Sequence, residues 1–168
     1  MANTQFVVNA LRFDAYKGFM FRLLINGNVV AGVSKVSPLI RKTDFVKHRE
    51  GGDQSSSRLT PGISNFEPLT IERGVTHDKD FEEWAKLVWN LEGQTAMSLA
   101  NFRKNLTLVL LNDQGSVAKA YNLYRCWVSE YQALGELDSN TASVVIEKIT
   151  IQYEGFERDE DIVEPKEY

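Results

Sequence analysis

The sequence predicts a mainly β domain with one α-helix, an antiparallel β-sandwich or barrel subunit. Apolar residues alternate with period two in several separate stretches, turn signals of the hairpin kind interrupt them, and one segment changes to a helical period. At 168 residues the chain suits a single domain and buries roughly two-thirds of the surface that its unfolded form exposes.

The first alternating stretch is Lys17 to Ile25, where Phe19, Phe21, Leu23 and Ile25 share a face opposite Met20, Arg22 and Leu24. Asn26-Gly27 follows, then Asn28 to Val33, which predicts a hairpin. A second hairpin is predicted from Asn105 to Leu111, through the turn Asn112-Asp113-Gln114-Gly115, into Val117 to Val128. The run Ser143 to Glu154 closes the domain, with Val145, Ile149, Ile151 and Tyr153 on one face. Glu147 falls on that same apolar face, so its carboxylate needs a buried partner. Weaker strands are predicted at Gln5 to Leu11, Thr43 to His48 and Glu67 to Arg73.

From Asp78 to Glu92 the apolar residues Phe81, Trp84, Ala85, Leu87, Val88 and Leu91 recur at helical spacing. Asp78 or Asp80 is placed to cap the first turn, and Gly93 stands just past the end. One amphipathic helix on a sheet is expected, over about residues 78–92. Its tryptophans, Trp84 and Trp89, fit core or subunit-contact anchors better than a cofactor box.

Two segments read as excursions. The stretch 50–64, from Glu50 to Ser64, with Gly51-Gly52, a serine triplet and Pro61-Gly62, predicts a long polar loop, a type that is usually functional or ordered by a partner. Residues 157–168 form an acidic tail beyond a domain covering 1–156.

Composition bounds the function classes. With 19 basic and 23 acidic side chains the formal charge is -4, which is no footprint of a nucleic-acid binder. No apolar run approaches the roughly 20 residues needed to cross a bilayer, and the N-terminus lacks the pattern of a signal peptide. A soluble chain made in the bacterial cytoplasm, with no stable membrane insertion, is the expectation. The single cysteine, Cys126, lies in an apolar run and reads as a small buried hydrophobe.

No catalytic constellation emerges. His48 and His77 sit in no metal-ligand spacing, and the acids Asp78, Asp80, Glu82 and Glu83 at a helix start favour the helix dipole and solvent. Ser55, Ser56 and Ser57 lack a Gly-x-Ser-x-Gly elbow. Gly51-Gly52 lacks the Gly-Lys-Ser/Thr ending of a phosphate loop. The basic cluster Arg41, Lys42, Lys47, His48 and Arg49 has the charge to contact phosphates, but Asp44 and Glu50 interrupt it, and its lysines fit better as residues that blunt a sheet edge or pair with a neighbour's acids. The reading is therefore a binding or assembly module with no catalytic residue, no cofactor and no metal.

The ordered series Gly18-Phe19, Glu50-Gly51-Gly52, Pro61-Gly62, Leu69-Thr70-Ile71-Glu72-Arg73-Gly74, the Trp84 helix, Arg103-Lys104-Asn105-Leu106 and Ile146-Glu147 through Tyr153-Glu154-Gly155 resembles the tail-tube protein family of contractile phages and phage tail-like particles. It is related in fold to the tube protein of type VI secretion. The likeness covers roughly Phe6 to Phe156 and departs at Arg125-Cys126-Trp127.

The resemblance implies a structural subunit whose homohexameric rings stack head to tail, each copy adding its sheet to a continuous inner β-barrel. It implies a contractile sheath, a baseplate or tube-initiator protein and a tape-measure protein as partners, with cargo DNA or protein in the lumen. Under it, Glu50, Gly51, Gly52, Pro61 and Gly62 belong to an arm that reaches a neighbouring subunit or ring. A baseplate hub or a secreted ring-forming carrier module is the alternative on the same fold.

Overall fold

The computed structural model describes residues 15–52, 55–89 and 101–163. The first predicted hairpin forms: β1 (Phe21–Ile25) turns at Asn26 and Gly27, both at positive φ, into β2 (Asn28–Val29). Two consecutive positive-φ residues match the twist of paired strands, which is why Asn-Gly is favoured there. The second run then divides. Past Gly32, also at positive φ, the chain leaves the hairpin and forms β3 (Val33–Val36) elsewhere in the sheet.

The other main strands are β4 (Arg41–His48), β5 (Arg58–Phe66), β6 (Leu69–Gly74), β7 (Lys104–Leu111), β8 (Val117–Gln132), β9 (Ile146–Gln152) and β10 (Gly155–Arg158). Strand order is β2-β1-β7-β8-β9-β6-β3, with β10 also on β8, and all pairings are antiparallel. The predicted strand over Gln5 to Leu11 lies outside the described residues. The acidic tail expected from residue 157 begins later, because β10 carries the chain through Arg158 by pairing Phe156 with Leu123.

Strand β8 belongs to two half-sheets. Its first part pairs with β7 and β10, and its last part, Trp127 to Gln132, pairs with β9. Arg125 marks the corner: its φ is 53, and the register against β7 shifts between Lys104 and Leu106. A bulge bends a strand and raises its twist, which lets one strand turn from one layer into the next. The strained backbone is held by Asn105, whose side-chain oxygen accepts the Arg125 N–H at 3.2 Å.

The core lies between the half-sheets. Leu23, Leu106 and Leu123 from one meet Leu69, Ile71, Ile149 and Ile151 from the other. Cys126 is buried with them, as expected, and burial pushes its thiol up to about 12. Helix α1 (Asp80–Lys86) closes one end by burying Phe81 and Trp84, and the Trp84 indole donates to the Phe102 carbonyl at 2.8 Å. The described helix is shorter than the predicted 78–92; residues 90–92 lie outside the described residues, as does Gly93. Lys79 occupies the N-cap, and Asp78 just before it accepts the Asp80 N–H at 2.9 Å.

Glu147 finds the partner its position demands. It pairs in register with Arg73 and takes a hydrogen bond from the guanidinium Nε, with both side chains buried. Arg73 also donates to the Asp78 side chain at 3.0 Å and the Asp78 carbonyl at 2.9 Å, and lies 4.0 Å from the centre of the Phe81 ring. A charge this deep is tolerated because every face of the guanidinium has a partner.

Candidate assembly surfaces

The expected loop 50–64 is instead the end of a hairpin arm. Strands β4 and β5 pair with each other as a separate two-stranded sheet, and the connection between them starts at Arg49 and ends at Ser57. Pro61 and Gly62, read from sequence as loop residues, lie inside β5. Both strands of a two-stranded sheet are edges, so a proline without an N–H is admissible. The register shifts between Thr43 and Phe45 opposite this pair. A Cβ on Gly62 would sit 3.1 Å from the Asp44 carbonyl oxygen, so the close approach at this bulge favours glycine. Glu50, Gly51 and Gly52 are at the tip, where Gly52 has φ +99.

Nearly the whole arm is exposed, including large apolar side chains. Phe45 is 61% exposed, Leu59 61% and Ile63 73%. Phe45 pairs with Pro61 and Lys47 with Leu59, while Val46 between them points to the opposite face. The arm thus offers apolar surface on both sides. An isolated two-stranded hairpin is marginal in water, so an arm of this kind is completed by a partner. Sequence reasoning placed the excursion here but missed its strand; the signal was the apolar set Leu59 and Ile63 inside a segment judged polar.

The second surface is the outer face of the half-sheet β3-β6-β9-β8. Its residues are polar: Lys35, Glu72 and Lys148 form a cross-strand row, with Thr70, Thr150 and Glu130 in the next. The outer face of the other half-sheet differs. There Val109, Leu111 and Ala120 are buried beneath partly buried Met20, Leu24 and Ile162.

The residues screened for chemistry are not brought together. His48 and His77 are exposed on the arm and before the helix, and Ser55 to Ser57 are exposed at the arm's end. Among the described residues no group of His, Cys, Asp and Glu is placed to hold a metal ion. A groove between the half-sheets is lined by Phe21, Val36, Leu39, Leu108, Tyr121 and Phe156, with Lys35 and Ser37 also on its wall.

The profile of the T4-like virus tail tube protein gp19 family matches residues 17–157. The chain belongs to that tail tube family. The match runs from just before β1 into β10, and so spans the arm, both half-sheets and the helix.

Solved structures share the fold. A chain of the sheath-tube complex of an extracellular contractile injection system, PVC, in the extended state aligns with TM-score 0.72 at 16% identity, over 95% of this chain and 98% of that one. A chain of the anti-feeding prophage cap, described as a tube-terminating cap, aligns with TM-score 0.73 at 18% identity, over 95% and 99%. Hcp1 from Flavobacterium johnsoniae aligns more loosely, with TM-score 0.52 at 15% identity over 83% and 94%. A search of curated proteins by sequence found no match. The chain is a structural subunit of an inner tail tube, part of a phage tail or tail-like particle.

Proposed function

We propose that homohexameric rings of this chain stack head to tail into a rigid hollow tube, and that contraction of a surrounding sheath drives the tube through a target envelope. The chain performs no catalysis in this reading; its work is mechanical. The β4-β5 arm is the observation that carries it. A hairpin projecting from the domain with Phe45, Leu59 and Ile63 in water is suited to reach the next ring or a neighbour, where that surface is buried.

Head-to-tail stacking is a heterologous contact and produces an open filament, so length must be set from outside. A tape-measure protein and a baseplate or initiator protein supply that limit, and the bore conducts DNA or protein cargo. The subunit is made and assembled in the bacterial cytoplasm, and the finished particle is released extracellularly. The arm tip Glu50, Gly51 and Gly52 and the bulge Pro61-Gly62 are the stacking contacts in this arrangement.

Sedimentation tests the proposal. Purified protein should pellet as long filaments, and replacing 43–64 by a short Gly-Ser turn should leave unstacked rings in the supernatant. Unchanged filament yield without the arm would remove it from the stacking contact. Single closed rings from the intact chain would favour a baseplate hub or secreted carrier.

A further inference from the structure

Asn26 is the one asparagine of the sequence that a glycine follows. The pair forms the turn between β1 and β2, exposed at both residues and at positive φ in both. A Cβ on Gly27 would meet nothing within 4 Å, so the space around this backbone is open. Glycine is the residue that lets a main chain come close to another group, here the preceding side-chain amide.

That amide is also held and polarised. Asn26 Oδ1 accepts the Asn105 N–H at 3.1 Å, while the Asn26 N–H donates to the Asn105 carbonyl at 3.0 Å. A donor on the carbonyl oxygen draws electrons from Cγ and stabilises the oxyanion that forms when Cγ is attacked. Other asparagines lack part of this arrangement. Asn112 Oδ1 receives N–H groups from Gln114 at 3.1 Å and Ser116 at 2.8 Å, but the residue is buried and Asp113 follows it. Asn140 is exposed, but β-branched Thr141 follows it.

We propose that Asn26-Gly27 is a self-modification site, at which the chain deamidates without an enzyme. The Gly27 nitrogen gives its proton to solvent base and bonds to Asn26 Cγ; the bond from Cγ to the side-chain nitrogen breaks, and ammonia leaves. Water then opens the cyclic imide at either carbonyl, giving aspartate or isoaspartate. Aspartate keeps an acceptor for the Asn105 N–H. Isoaspartate adds one carbon to the main chain of a two-residue turn whose length sets the strand register. The disturbance lands on Asn105, whose own Oδ1 holds the Arg125 N–H at the positive-φ corner of β8. Either product also sets a new carboxylate at a small pocket lined by Asp80, Glu83 and Lys104. The reaction needs no partner chain, so it is independent of the tube reading.

Incubation of the full chain in mildly alkaline buffer, followed by peptide mapping with mass spectrometry, tests the site. Residue 26 should convert at least about tenfold faster than Asn112 or Asn140. Gly27→Asn keeps a residue that tolerates positive φ but adds a side chain, and should slow conversion at residue 26 by a similar factor. The isoaspartate fraction, separated by ion exchange, should melt below Asn26→Asp, which retains the acceptor. Conversion of residue 26 in urea but not in the folded chain, or an unchanged rate in Gly27→Asn, would overturn the site. Equal melting of isoaspartate and Asn26→Asp would overturn the link to the turn and the corner.

Discussion

Arg73 and Glu147, partners across β6 and β9, form an ion pair sealed inside the domain, and the same guanidinium holds Asp78 at the approach to helix α1. One side chain therefore ties strands β6 and β9 to the helix that closes the core. In a tube that is pushed end-on, such cross-links resist shear between layers, because a buried pair has no water to take over its hydrogen bonds.

Glu147→Ala should destabilise the isolated subunit by about 3–5 kcal/mol, since it leaves the Arg73 charge buried with less compensation. Arg73→Met combined with Glu147→Leu should lose much less than the sum of the single changes. Urea unfolding of the four proteins measures this; additive losses would show that the two side chains act independently.

Acid should weaken the same corner. The Asp78 carboxyl is held below its ordinary value of 3.8, first by the Asp80 backbone N–H; burial opposes this, and the Arg73 guanidinium adds to the lowering. A carboxyl depressed in the folded state contributes stability above its unfolded value and loses it as pH falls through the folded one. Asp78→Asn should therefore flatten the stability curve below about pH 4, where the wild type declines, and leave the shape above it unchanged. Thermal melts across that range check the sign.

Much of this was legible in the sequence, and the misses share a cause. Alternation at Leu23, Leu106 and Ile149 placed the core because one face of each strand is buried. Glu147 on an apolar face announced a partner, although spacing alone could not name Arg73, 74 residues away. The first strand of the arm is predicted at Thr43 to His48, but β5 reads as a loop because Pro61 and Gly62 break ordinary strands, while a two-stranded edge with a bulge accommodates both. The corner in β8 had no signal either: Arg125 at positive φ is set by tertiary packing.

Cys126 should be unreactive in the folded protein. With the thiol buried and pushed up to about 12, almost none is thiolate near neutral pH. A maleimide should label it only after denaturation, one thiol per chain; rapid labelling of native protein would show that this end of the core opens.

Trp84→Ala should cost about 3–5 kcal/mol, because it empties a fully buried site and strips the Phe102 carbonyl of its donor. Trp89→Ala, exposed in the single chain, should leave subunit unfolding unchanged and weaken ring formation instead. Comparing unfolding midpoints with ring affinity for the two variants separates core from contact.

Phe45→Ser with Ile63→Ser should likewise spare the domain and prevent stacking, since both side chains lie in water in the isolated chain. Equal filament lengths in the variant and the wild type would place the stacking contact elsewhere.

Electron microscopy of the purified chain in negative stain tests the tube most directly. The proposed tube predicts rings with a central channel, stacked into straight filaments of uniform width. A monodisperse single subunit at every concentration would contradict it.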